Sequence, residues 1–243
     1  LETDAPHARF DVYRAANGKT KKLNRKAIEA TCDFTDRSPV KGEAVYWVTC
    51  DGKESEKVKA DFSTLHNYRS IRLNRQVKAG KVGVADLNGD GTYDYIIRTP
   101  DTNVDPGMPG DLTGKTYQIE AYLSDGTFLW SKDLGQGIEP GIWYSPYVVY
   151  DFNGDGKAEV ALKTAPENVR RDEKGRVDTG DEYLTVLDGM TGQEIAHVDW
   201  PKRNDRYGNL VRRNRNQIGM AFLDGKTPCI LACRGKSMAI EWK

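Results

Sequence analysis

Apolar and polar residues alternate with a period of two in several short runs, the spacing of strands buried on one face. Arg9-Phe10-Asp11-Val12-Tyr13, Thr31-Cys32-Asp33-Phe34 and Val45-Tyr46-Trp47-Val48-Thr49-Cys50 each show it. Asp51-Gly52 ends the last run with a hairpin signal, since both residue types tolerate the positive φ that tight turns need. Residues 61–79 read as a connector with one further strand at Tyr68–Leu73.

From Lys81 the pattern becomes a repeat. VGVADLNGDGTYDYII (Val82–Ile97) returns as YVVYDFNGDGKAEVAL (Tyr147–Leu162), with Asp86 and Asp151 65 residues apart. A hairpin with a glycine turn follows each copy, at Glu120–Trp130 and at Leu184–Ala196. Four strands per repeat is the content of one propeller blade. A third copy opens at Gln217–Gly225 and continues through Ile230-Leu231. The expected fold is all-β. Residues 80–243 form a partial β-propeller of about two and a half blades with calcium-binding loops. Residues 1–60 form part of a fibronectin III-like β-sandwich. A propeller closes with 4–8 blades and such a sandwich needs about seven strands, so the sequence is expected to be a piece of a longer protein.

Charge narrows the partners. Lys+Arg is 36 and Asp+Glu is 36, a formal net charge of +0. That balance argues against nucleic acid and against a polybasic membrane-surface role. No apolar run approaches the length of a membrane-spanning helix, so no membrane insertion is expected. Cys32, Cys50, Cys229 and Cys233 lack zinc-site spacing, and the chain has only 3 His. Cys32 and Cys50 would either pair in an oxidising compartment or sit as two small buried thiols.

The chemistry lies in the repeated D-x-N-x-D-G-x-x-[DE]. Ca²⁺ takes six to eight oxygens, which alternate residues of a tight loop supply. Asp86, Asn88, Asp90, the Thr92 carbonyl and Asp94 form the first set. Asp151, Asn153, Asp155, the Lys157 carbonyl and Glu159 form the second. An EF-hand would need Glu at position twelve and flanking helices. Ile97 and Leu162 stand there instead, between strands. Ordinary Asn/Gly turns are the competing reading. The third copy is shortened to Leu223-Asp224-Gly225, and no cation is expected there.

On these features residues 68–235 resemble the catalytic propeller of the rhamnogalacturonan lyases of polysaccharide lyase family 11. The segments that carry the resemblance are Asp86–Asp94, EAYLSDGTFLWSKDL, YVVYDFNGDGKAEVALKT, EYLTVLDGMTGQEIA, Tyr207-Gly208-Asn209 and AFLDGKTPCILACRG. Phe10-Asp11-Val12-Tyr13-Arg14 fits the family's N-terminal module. After Arg234-Gly235 the chain departs, continuing Lys236-Ser237-Met238. The resemblance implies eight blades in the whole enzyme and β-elimination on rhamnogalacturonan I, the pectin backbone. A base removes the C5 proton of galacturonate and the 4-linked rhamnose leaves. Neutralising the uronate carboxylate, by Ca²⁺ or by Arg/Lys, acidifies that proton. The family's catalytic groups come largely from other blades, so no catalytic base is assigned here. Location is expected to be secreted or periplasmic, without a signal peptide in this chain.

The strand after each loop ends in a basic residue: Arg98, Lys163 and, with a two-residue shift, Arg234. If these ring a central channel they bind uronate carboxylates; otherwise they are solvated strand ends. Trp143, Tyr144 and Tyr147 offer either a sugar-stacking platform, with Tyr144 as the candidate, or propeller packing. A non-catalytic calcium-stabilised propeller for adhesion or glycan binding is the competing function, and an inactive piece of a lyase is a third. The oligomeric state is not legible in the sequence.

Overall fold

The computed structural model describes residues 8–38, 40–62, 68–101, 116–139, 141, 143–173, 175–204, 210–235 and 239–242. Two compact units divide it, Leu1–Arg69 and Ser70–Lys243. Tyr207-Gly208-Asn209 and Lys236-Ser237-Met238 lie outside the described residues.

The first unit is one antiparallel sheet. It contains β1 (Phe10–Ala16), β2 (Lys19–Lys22), β3 (Glu43–Cys50), β4 (Lys53–Glu54) and β5 (Val58–Asp61). The order is β2-β1-β3-β4, with β5 also on β3. Tyr13 and Trp47 are opposite each other in the ladder, and their rings stack at 5.6 Å. Asp51 and Gly52 both take positive φ, 49° and 79°, and make the expected turn into β4.

Two strands expected from alternation are not strands. Thr31–Phe34 is exposed and irregular. β2 occupies the free edge of β1, and β4 with β5 occupies that of β3, so the two long strands have no edge left for it, and it pairs with none of the outer strands. Tyr68–Leu73 likewise joins no sheet. Next to it, the Asn74 amide donates to Tyr122 Oη at 2.9 Å instead of to a strand. The cysteine expectation is corrected too. All four cysteines are free, Cys32 is exposed and the others are half-buried, so neither a disulfide nor a buried pair is present.

The second unit holds three successive meanders. The first is β6 (Lys81–Ala85), β7 (Asp94–Thr99), β8 (Gln118–Tyr122) and β9 (Phe128–Asp133). The second uses β10 (Tyr147–Tyr150) and β11 (Glu159–Thr164). A small hairpin of β12 (Arg170–Arg171) and β13 (Val177–Thr179) then intervenes before β14 (Tyr183–Asp188) and β15 (Glu194–Asp199). After a short helix α1 (Leu210–Arg213), the third contains β16 (Asn216–Phe222), β17 (Pro228–Arg234) and β18 (Ala239–Trp242). The third meander therefore has three described strands, more than the half blade expected.

Two apolar seams join these sheets. Leu87, Ile96, Ile119, Trp130, Val160, Leu162 and Leu187 form the larger. Ala161, Leu184, Trp200 and Ala232 form the smaller, with Ile218 and Ile230 against it. β11 supplies both, because successive side chains of a strand point to opposite faces. Val160 and Leu162 enter one seam and Ala161 the other. A strand apolar on both faces reads as a continuous run, as Val160-Ala161-Leu162 does.

Candidate functional site

Three features could carry function: the two acidic loops, the three strand-end basic residues, and a cleft where the first strands of the three meanders converge.

The acidic loops are built alike. Asp86 Oδ1 accepts from the Gly89 and Asp90 amides at 2.7 and 3.2 Å, and Oδ2 from the Gly91 amide at 2.7 Å. Asp151 repeats this with Gly154, Asp155 and Gly156 at 2.7, 3.2 and 2.9 Å. Asp90 and Asp155 accept from the Thr92 and Lys157 amides at 2.7 and 2.8 Å. Asn88 and Asn153 bridge to Asp90 and Asp155. Gly91 and Gly156 take φ of 81° and 87°, which explains glycine at the bend.

The closing acids are held inward. Asp94 accepts from the Leu87 and Ser124 amides at 2.9 and 2.7 Å, and Glu159 from the Phe152 amide at 2.8 Å. Burial raises both carboxyls above their ordinary range. The neighbouring charges, Asp86 and Asp90 or Asp151 and Asp155, add to the rise. The donor set is all oxygen and suits a hard cation. Each first aspartate accepts three amides, which leaves it carboxylate lone pairs. Among the described residues, however, no three acidic, His or Cys side chains converge as a metal cluster. Asp224 accepts from the Lys226 and Thr227 amides at 2.9 and 2.6 Å, forming an ordinary turn.

The strand-end basic residues are not solvated. Arg98, Lys163 and Arg234 are 4%, 4% and 0% exposed. The ladders explain the shift of Arg234: Lys81 faces Arg98, while Asn216 faces Arg234 across the shorter third loop. Their environments differ. Lys163 and Arg234 both pair with the buried Glu182, which Arg203 also meets at 2.8 Å. Burial works against the Glu182 carboxylate, but the charges of Lys163, Arg234 and Arg203 outweigh it and hold its pKa below the ordinary value. Burial pushes Lys163 down to about 8. Two of the three candidate substrate cations are thus engaged with an internal carboxylate. Near them lies Glu139, which burial pushes up to about 7. It accepts from the Val177 amide and from Asn214 Nδ2.

Arg98 lines the cleft instead. Its Nη1 donates to the Ser145 carbonyl and hydroxyl at 3.2 and 3.0 Å, and its guanidinium lies 4.3 Å from the Tyr117 ring centre. The cleft, about 360 Å³, is also lined by Lys81, Trp143, Ser145, Asn216 and Gln217. Tyr144 does not reach it as a platform. It is 1% exposed, so its ring has no free face, and the stacking expectation at Tyr144 is corrected. Tyr147 is buried as well, its hydroxyl donating to the Ile96 carbonyl at 3.0 Å. Trp143, at 38% exposed, is the ring that faces solvent.

Sequence reasoning missed Lys81 and Glu182. Lys81 was readable only as the cross-strand partner of Arg98. Glu182 precedes an apolar strand, and nothing local marks Arg203 or Arg234 as its partners.

Residues 72–241 match rhamnogalacturonan lyase family 11, C-terminal domain. A rhamnogalacturonan exolyase of Bacillus subtilis, YesX, is 32% identical over 269 residues, covering 97% of this chain and 43% of the relative. A rhamnogalacturonan endolyase of the same organism, YesW, is 32% identical over 279 residues, covering 100% and 44%. Among solved structures, a Bacillus licheniformis rhamnogalacturonan lyase superposes with a TM-score of 0.74 at 30% identity, covering 99% of this chain and 46% of that one. The chain spans less than half the length of these relatives.

Proposed function

The chain belongs to rhamnogalacturonan lyase family 11, and from that premise we propose that it forms part of a polysaccharide lyase that cleaves rhamnogalacturonan I by β-elimination. The observation that supports this reading is the cleft holding Lys81 and Arg98, whose lining contains no Asp or Glu among the described residues. Removing the C5 proton of a galacturonate builds negative charge next to its carboxylate. Fixed cations at that carboxylate stabilise the charge as it develops. Arg98 and Lys81 fit that role. No residue is assigned as the base. One named relative is an exolyase and the other an endolyase at the same identity, so the mode of cleavage is inherited from neither.

The three meanders are read as consecutive blades of a β-propeller, and the protein as a secreted or periplasmic one. The acidic loops are read as Ca²⁺ sites that brace the turns between first and second strands. Asp86, Asn88, Asp90, Asp94 and the Thr92 carbonyl would hold one ion. Asp151, Asn153, Asp155, Glu159 and the Lys157 carbonyl would hold the other. The support is the identical amide pattern of the two loops and the mutual repulsion of their carboxylates. The loop residues are not among the described residues lining the cleft, so ions held there would supply fold stability and not touch a bound sugar.

The test is incubation of the polypeptide carrying this sequence with rhamnogalacturonan I, following unsaturated-uronate absorbance. Growth of that absorbance supports the lyase reading. Saturable binding without it favours a glycan-binding propeller instead.

A further inference from the structure

We propose that Asn17 is a self-modification site, at which the backbone nitrogen of Gly18 attacks the Asn17 side-chain amide and the residue passes through a succinimide to aspartate or isoaspartate. This is independent of the lyase and Ca²⁺ readings.

The sequence contains three Asn-Gly steps, Asn17-Gly18, Asn88-Gly89 and Asn153-Gly154. Glycine, with no Cβ, leaves its own amide nitrogen the least shielded from a preceding side chain. The structure separates the three steps. In the acidic loops the reacting groups are tied. The Gly89 amide donates to Asp86 Oδ1 and the Gly154 amide to Asp151 Oδ1, both at 2.7 Å. Asn88 Oδ1 accepts from the Asp90 amide at 3.0 Å, and its Nδ2 donates to Asp90 Oδ2 at 3.0 Å. Asn153 Oδ1 accepts from the Asp155 amide at 2.8 Å, and its Nδ2 donates to Glu159 Oε1 at 3.1 Å. Attack there requires both the side chain and the amide to leave these partners, several of them charged.

The first step has none of these restraints. Asn17 and Gly18 form the two-residue turn between β1 and β2, with φ of 51° and 70°, and both are exposed. Among the described residues, neither the Asn17 side chain nor the Gly18 amide makes a hydrogen bond. A Cβ on Gly18 would meet nothing within 4 Å, so the approach is open. Charge favours the attack as well. No Asp or Glu stands between Val12 and Ile28, while Lys19 and Lys21 follow the turn. Cations stabilise negative charge on the attacking nitrogen.

The step balances with water alone. Hydroxide removes the Gly18 amide proton, and the nitrogen forms a bond to Asn17 Cγ. The Cγ–Nδ2 bond breaks, and ammonia leaves with a proton drawn from water. A second water opens the five-membered imide at either carbonyl. One amide becomes one carboxylate, and the isoaspartate product carries an extra methylene in the turn backbone. The sheet accommodates that change. β2 is an outer strand held on β1 alone. Beyond the turn, the Leu23 amide donates to the Val12 carbonyl at 2.8 Å, and the Val12 amide to Asn24 Oδ1 at 2.7 Å.

The test is incubation of the 243-residue protein at neutral and at mildly alkaline pH, followed by tryptic peptide masses. A chelator is present throughout, so the outcome does not depend on Ca²⁺. The Ala15–Lys19 peptide is expected to gain about one mass unit. The gain should be faster at the higher pH and absent in Asn17→Gln. Asn88 and Asn153 should react about 10- to 100-fold more slowly, held by hydrogen bonds to charged groups. Asp86→Ala frees the Gly89 amide and should raise the Asn88 rate while leaving the Asn17 rate unchanged. In urea the three rates should converge. An unchanged Asn17 mass in the folded protein, or conversion of Asn88 or Asn153 as fast as Asn17, overturns the proposal. A difference that persists in urea would show that the folded structure does not select the site.

Discussion

Tyr117 occupies in the first meander the register position that Glu182 occupies in the second. Each lies two residues before the cross-strand partner of a buried basic residue, Arg98 or Lys163. The exchange of a ring for a carboxylate separates the two cations in role. Lys163 is neutralised inside the protein, with Arg234 and Arg203 around the same Glu182. Arg98 stacks on Tyr117 and turns its guanidinium to the cleft.

Replacing Glu182 is expected to destabilise the second unit strongly. Glu182→Gln leaves Lys163 and Arg234 buried without their counter-charge. Breaking a buried pair from one side costs roughly 3–5 kcal/mol. Urea unfolding measures it, and a loss below about 1 kcal/mol would show that these cations do not depend on Glu182.

Stability should fall as pH rises from about 4.5 to about 7, because of Glu139. Its folded pKa of about 7 lies above the ordinary 4.5, so the folded state binds the extra proton in that window and loses the advantage as pH passes through it. The expected change is on the order of 2–3 kcal/mol. Glu182 acts oppositely and lower, since its pKa is depressed: its contribution is lost as pH falls below the ordinary carboxylate range. Glu139→Gln should flatten the curve between 4.5 and 7 in denaturation series at several pH values. An unaltered slope in that variant would exclude Glu139 as its source.

Calorimetric titration of chelator-treated protein with Ca²⁺ is expected to show one site at each intact loop and none at Asp224. Asp90→Ala and Asp155→Ala should each remove one site, since each deletes a loop carboxylate. A protein that takes up no Ca²⁺ would reduce the loops to hydrogen-bonded turns.

Gly189→Ala should cost about 1–3 kcal/mol or more by overpacking. A Cβ there would lie 2.0 Å from the Ala158 carbonyl and 2.9 Å from Leu87. Trp130 Nε1 also donates to the Gly189 carbonyl at 2.9 Å, so this glycine is clamped where the first two meanders meet. A thermal midpoint equal to wild type would show that the contact yields.

The sequence by itself determined what depends on near neighbours. The strand pairs around each acidic loop, the positive-φ glycines, the glycine-turn hairpins and the family resemblance are all encoded within short windows, where period-two alternation and turn chemistry act. The tertiary structure decided the rest. Thr31–Phe34 alternates correctly but pairs with no strand, because strand status needs a partner and not only a pattern. Tyr144 and Trp143 are chain neighbours, yet one is buried and the other half-exposed. Arg98, Lys163 and, offset by two residues, Arg234 end the corresponding strands and separate in environment through residues distant in the chain. Glu182 is 52 residues from Arg234 and Ser145 is 47 from Arg98. A buried charge is governed by what meets it in space, because desolvation and pairing act through contact distances that the linear order does not contain.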